Sequence, residues 1–304
     1  MPELLDMPLA LVNQILEKLD PEDLLASRKV CQKLRTAVDK FGIHFNAIEV
    51  ICTVDNILMK LNESLITYTN ASKSGTTVTY ECRRKTIGNE DFTSRAFKDL
   101  EIILEQVPKF TFRIELYDSK RKNQKNMTKF ITSFINFLKA KDCIHVKEIH
   151  FNRLLFDDIL SILPFFNAKV LENIKLSETD NLKKFERLAC LEQWKNAKTF
   201  ETPWVLVHNC QIPIEQLFHL ERFKIVIDDF FKQNRIDIRD DLLQRSTFRK
   251  CEILFEKSNS TPFEIAKLFK PDVSKSDNYE VEFSIGGKMF RIISSTNCFL
   301  CEIL

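Results

Sequence analysis

Glycine is scarce in this chain: five residues in 304, at 42, 75, 88, 286 and 287. None stands in a glycine-rich loop between a strand and a helix, so the backbone cradle that nucleotide phosphates need has no candidate. No stretch reaches the roughly 18 consecutive apolar residues of a membrane-spanning helix. Lys and Arg number 45 against 43 Asp and Glu, a formal charge of +2. That balance gives no strong pull toward nucleic acid. Histidine is sparse too, at 44, 145, 150, 208 and 219. His208 with Cys210, and Cys143 with His145, each pair an imidazole with a thiol, but neither supplies four ligands at a recognised metal spacing. No metal, cofactor or small-molecule ligand is expected. The opening residues, Met1-Pro2-Glu3, turn acidic at once and do not read as a secretory leader. Nine cysteines are scattered singly along the chain, the pattern of reduced thiols in a cytoplasmic or nuclear protein.

What the chain does have is a dense helical signal at its N-terminus. Asp6 is placed to cap a helix with Pro8 in its first turn, where a missing N–H is harmless. Leu9, Val12, Ile15, Leu16 and Leu19 follow at helical spacing. Asp20, Pro21, Glu22 and Asp23 repeat the start signal, with acids near the positive end of the helix dipole. Leu24 and Leu25 open the apolar side of that second helix. Val30, Cys31 and Leu34 continue on a third segment, extended by Val38 and Phe41. Three helices in so short a module leave apolar groups that cannot all turn inward, and such leftovers suggest a partner surface.

This stretch resembles an F-box, the helical module that docks a substrate receptor onto a ubiquitin ligase. The resemblance implies a Skp-type adaptor as partner and, through it, a cullin scaffold. By position it makes Pro8, Leu9, Ile15, Leu16, Pro21, Leu24, Leu25, Val30 and Cys31 the docking candidates. Met7 stands where a leucine is usual, and Lys33-Leu34 where a basic residue and tryptophan often stand. An ordinary three-helix N-terminal domain is the alternative.

Past residue 145 a short pattern recurs: apolar, two others, apolar, one other, apolar. Its copies are Val146/Ile149/Phe151, Leu171/Ile174/Leu176, Leu220/Phe223/Ile225 and Phe248/Cys251/Ile253, with a degenerate copy at Ala197/Phe200/Thr202. The central residues are 25, 26, 23 and 28 apart, within the range of about 20–29 for leucine-rich repeats. Each copy predicts a short strand with one buried face. Helices are expected between them at Leu155–Leu163, Leu182–Trp194 and Ile227–Gln233. Such strand–helix units must stack to bury their faces. The asparagine ladder of standard leucine-rich repeats is missing, and a doubly wound α/β domain is the rival. Upstream, Lys129–Lys141 and Phe97–Val107 read as amphipathic helices and Thr111–Leu116 as an irregular strand. Residues 46–90 read as strand-rich, with Thr76–Tyr80 the clearest. Near the end, Val281, Phe283 and Ile285, then Gly286-Gly287, then Phe290 and Ile292 predict a hairpin sealing the end of the array.

An N-terminal F-box, a strand-rich connector and a Phe-rich repeat region together resemble the nematode F-box proteins with an FTH domain, the F-box A class. Phe97–Leu104, Val146–Phe151, Leu171–Leu176 and Thr199–Val205 carry the likeness, which covers roughly residues 93–304. The expected class is α/β, α+β at the N-terminus. A small three-helix F-box (residues 1–45) precedes a strand-rich connector (46–92). A curved, leucine-rich-repeat-like array with a C-terminal hairpin cap (93–304) follows and binds a protein target. In a horseshoe-like array Glu148, His150, Asn173, Lys175, Thr199, Glu201, Arg222 and Lys224 face the concave side. Their mixed charges suit a protein better than a phosphate backbone; a solvated face without a partner is the alternative.

The function implied is a non-catalytic substrate-recognition subunit of an SCF-type ubiquitin ligase. The alternative is a non-degradative adaptor recruiting a regulatory partner such as an RNA-binding protein. Two motifs remain. Cys301-Glu302-Ile303-Leu304 fits a prenylation box of the geranylgeranyl type, the sole route to a membrane. Against it, Cys298 to Cys301 reads as apolar packing at the end of a strand, and a polybasic second signal is nearly absent. Lys120–Lys122 with Lys125 is a nuclear-import candidate or an exposed basic loop.

Overall fold

Proline and glycine punctuate the first three helices, α1 (Leu9–Leu16), α2 (Pro21–Ser27) and α3 (Gln32–Phe41). Described in this computed structural model are residues 7–304 except 29, 44, 54, 72–73, 107–109, 118–123, 142, 181, 183, 203–211 and 275–278. Pro8 sits at the N-cap of α1 rather than in its first turn, and its carbonyl accepts the N–H groups of Leu11 and Val12 at 2.9 and 3.2 Å. The expected cap, Asp6, lies outside the described residues. Pro21 opens α2 with Asp20 at the N-cap, although the Asp20 side chain makes no capping bond. α3 stops at Gly42, whose φ of 86° is open to glycine at no steric penalty. Val12, Leu16, Leu24 and Val38 are buried, and an Arg28–Asp39 ion pair ties the end of α2 to α3.

The chain divides into two compact units, Met1–Lys147 and Glu148–Leu304. In the first, β1 (Ala47–Thr53), β2 (Asn56–Leu61), β3 (Ser64–Asn70), β4 (Thr76–Tyr80) and β5 (Arg83–Ile87) form an antiparallel meander. α4 (Phe92–Gln106) leads to β6 (Thr111–Tyr117), and α5 (Gln124–Lys139) follows. β6 returns to pair parallel with β1. Alternation fixes the buried face: Ile48 pairs with Leu61 and Phe112, Val50 with Met59 and Ile114, and all six are buried. Phenylalanines of the two helices cluster there, with Phe97 5.5 Å from Phe130 and 5.3 Å from Phe137. α4, β6 and α5 thus lie in the same unit as the F-box-like helices, whereas the sequence reading assigns them to the repeat domain.

One glycine of this unit has a steric duty. Gly75 has a φ of +94°, and a Cβ there would stand 2.1 Å from the Ile87 carbonyl oxygen. Gly75→Ala is expected to lower stability by roughly 2–4 kcal/mol, from backbone strain plus the displacement of β5. Chemical denaturation of the full chain checks this; an unchanged midpoint would contradict it.

The second unit holds β7 (Glu148–Asn152), α6 (Phe156–Ile162), β8 (Asn173–Ser177), α7 (Phe185–Ala189), α8 (Glu192–Lys195), β9 (Thr199–Glu201), β10 (Arg222–Phe230), α9 (Lys232–Asp240), β11 (Lys250–Ser258), α10 (Pro262–Phe269), β12 (Tyr279–Ile285), β13 (Lys288–Ser294) and β14 (Cys298–Ile303). β7 to β11 run parallel in chain order. Ile149, Ile174, Phe200, Phe223 and Cys251, the five central residues of the recurring pattern, are direct register partners across them. Each is buried. Trp194 of α8 packs edge-on against Phe200 at 4.8 Å, and Phe269 of α10 stacks on Phe299 at 5.8 Å. The helices therefore cover the face that carries these apolar ladders.

Three expectations change here. Ile227–Phe230 is strand, not helix: Ile225 and Ile227 continue the buried alternation of β10, and α9 waits until Lys232. The expected helix over 182–194 is broken into α7 and α8. The glycine hairpin is present as β12 and β13, but β14, not the hairpin, adds to β11. β13 then pairs with β14. β14 is legible as a strand end at Cys298–Cys301, but its pairing with β11 and β13 joins segments that no local pattern links.

Candidate functional site

Burial sorts the expected docking residues into two kinds. Leu16 and Leu24 are 1% and 4% exposed; they build the helical core. Ile15 is 38% and Val30 71% exposed, and Pro8 and Cys31 are also exposed, with Pro21 half-buried. Leu9 and Leu25 lie within α1 and α2. Leu11, 46% exposed, is absent from the sequence-derived set. Its signal was there: it stands four residues before Ile15, so the two share a helix face apart from the Val12–Leu16 stripe. Burying such a side chain against a partner is worth about 1.5–3 kcal/mol.

On the second unit, strand alternation brings all eight expected partner-binding residues to the face opposite the apolar ladders. His150, Lys175, Glu201 and Lys224 are successive register partners, and the row continues to Glu252. Lys175 and Glu201 pair at 3.2 Å, Lys224 and Glu252 at 2.7 Å. The His150 Nε2 lies 2.8 Å from Ser177 Oγ. Glu148, Asn173, Thr199, Arg222 and Lys250 make the neighbouring row. There Thr199 Oγ1 donates to Asn173 Oδ1 at 2.7 Å and Asn173 Nδ2 to Glu148 Oε2 at 3.2 Å. Lys250 pairs with Glu302 at 2.9 Å.

Lys250, Glu252 and Glu302 belong to these rows though the sequence reading stops at Lys224. The alternation around Cys251 carries the first two; Glu302 follows only from the placement of β14. Each sign on this face is largely answered by its neighbour on the next strand. Half-exposed pairs of this kind contribute about 0–1 kcal/mol each. The face therefore projects no single-signed field of the sort a phosphate backbone requires.

Two of the buried thiols are poorly placed for chemistry. Burial holds the Cys251 thiol well above its ordinary range, with its register partner Cys301 adding to the effect. Burial likewise pushes Cys52 up to about 12. Thiols held protonated in this way are poor nucleophiles. Cys301, the prenylation candidate, is 0% exposed within β14, so lipid transfer would require that strand to leave the sheet. His208, Cys210 and the Lys120–Lys122 run lie outside the described residues. Among the described residues no three His, Cys, Asp or Glu side chains are grouped to hold a metal ion, and no helix is long and apolar enough to cross a membrane.

Comparison with known proteins places both regions. Residues 4–46 match the F-box domain and residues 128–272 the FTH domain. The chain is similar to F-box A protein 224 of Caenorhabditis elegans, 26% identical over 299 residues, which cover 95% of this chain and 76% of that protein. No solved structure matches it. With an F-box match over residues 4–46, an FTH match over residues 128–272 and a nematode F-box A relative along nearly its whole length, this chain combines the two domains that the F-box proteins with an FTH domain carry.

Proposed function

We propose that this protein is a substrate-recognition subunit of an SCF-type ubiquitin ligase. F-box domains generally bind Skp-type adaptors within cullin complexes, and the match over residues 4–46 is the observation that carries the reading. The exposure of Leu11 and Ile15 on α1, and of Val30 in the turn between α2 and α3, supports it, because these side chains lie outside the bundle's buried core. In this reading the F-box helices engage the adaptor, the adaptor reaches the cullin scaffold, and the second unit holds a protein target through its ion-paired sheet face. The protein performs no chemistry. It raises the effective concentration of the target near a charged conjugating enzyme, and it does so in the cytoplasm or nucleus.

Isolation of the tagged full chain from nematode cells, with and without proteasome inhibition, tests this. A Skp-type adaptor and a cullin should co-purify, together with a protein that accumulates under inhibition. Absence of adaptor and cullin from the isolate would overturn the reading. Their presence with a partner whose level does not respond would favour the non-degradative adaptor.

A further inference from the structure

β5 is the edge strand of the first unit: among the described residues it pairs with β4 alone. Its sequence is Arg83, Arg84, Lys85, Thr86, Ile87, three successive cations and no acid. The first four residues are exposed, and none of the three cations has a carboxylate within 4.0 Å among the described residues. The run departs from a chain whose formal charge is only +2. The edge is also preformed. The Gly75 backbone lies against Ile87, and Thr76 Oγ1 donates to the Glu90 carbonyl at 2.6 Å, fixing the start of β4 against the end of β5 and the chain that leaves it.

We infer that the β5 edge binds an extended acidic segment of a partner protein by strand addition. A free edge offers main-chain N–H and C=O groups to a new strand. Side chains of β5 alternate, so Arg83 and Lys85 flank one face and Arg84 the other, and a run of carboxylates in the added strand would meet a cation at each position. Edge cations are commonly a guard against self-pairing. The same charge that repels a second copy of this strand favours an acidic one, so the guard and the binding site are one device. A nucleic acid would satisfy the cations but leave the edge's main-chain groups without a strand partner. The inference is independent of whether the helices dock on an adaptor.

The test uses the full chain and a fluorescein-labelled decapeptide with three successive glutamates between Val and Thr flanks. Saturable binding is expected, with slowed amide exchange at residues 83–87. Reversing the charges (Arg83→Glu, Arg84→Glu, Lys85→Glu) should weaken it about tenfold or more, the sum of three cross-strand pairs. The reversed protein should instead accept the peptide whose glutamates are lysines, which shows that it still folds. Equal binding of the lysine peptide or of a single-stranded oligonucleotide to the unmutated chain would overturn the inference. So would the absence of saturable binding, or binding without protection at 83–87.

Discussion

Arg235→Ala is expected to destabilise the second unit by about 3–5 kcal/mol, the loss of a buried charged donor plus the acceptors left without it. Arg235 is 1% exposed. Its Nη1 donates to the Phe230 carbonyl and to Ser258 Oγ, both at 3.0 Å. Its Nη2 donates to Asn259 Oδ1 at 2.9 Å and to Ser260 Oγ at 2.8 Å. One planar group on α9 therefore ties the end of β10 to the end of β11 and the turn into α10, with its cation 5.3 Å from the Phe230 ring centre. Burial lowers the guanidinium's pKa, opposed by the charge of Glu264, and arginine remains protonated at any ordinary pH. Arg235→Lys keeps the charge but presents a point ammonium in place of a fork, so it should recover less than half of the loss. Trp194, buried in the same unit beside Phe200, supplies the fluorescence signal for a denaturant titration. A shift below about 1 kcal/mol would mean that water replaces the guanidinium at little cost.

The triple change Leu11→Asp, Ile15→Asp and Val30→Asp should leave the fold intact and weaken Skp-type adaptor binding by roughly 100-fold or more, since each carries about 1–2 kcal/mol of interface burial. The three are exposed, and none belongs to the buried core. Leu16 and Leu24 are the poor choices despite matching the family pattern. Both are buried, and an aspartate there would unfold the bundle and abolish binding for an uninformative reason. Circular dichroism of the triple variant should overlay that of the unmutated chain. Retained affinity in a folded triple variant would place the adaptor contact elsewhere.

Much of this architecture is readable from periodicity alone. The strand centres at 149, 174, 200, 223 and 251 become register partners because each holds the middle position of a recurring copy, and parallel pairing aligns equivalent positions. The polar residues beside them reach one face for the same reason. What periodicity does not carry is pairing between distant segments. That β6 returns to β1, and that β14 inserts between β11 and β13, depends on contacts far apart in sequence that no local window records. The end of β10 misreads as helix because Ile227 and Phe230 satisfy a helical spacing as readily as the end of an alternating strand. At the N-terminus, family position picks out a mixture of core and surface residues. Only burial separates Leu16 from Ile15, and only helix geometry adds Leu11.

The central claim is that the N-terminal helices dock this protein on a ligase adaptor. Calorimetric titration of the purified full chain with a purified nematode Skp-type adaptor tests it most directly. The account predicts saturable one-to-one binding that the Leu11, Ile15 and Val30 substitutions remove. A folded chain that gives no binding heat and elutes apart from the adaptor would contradict it.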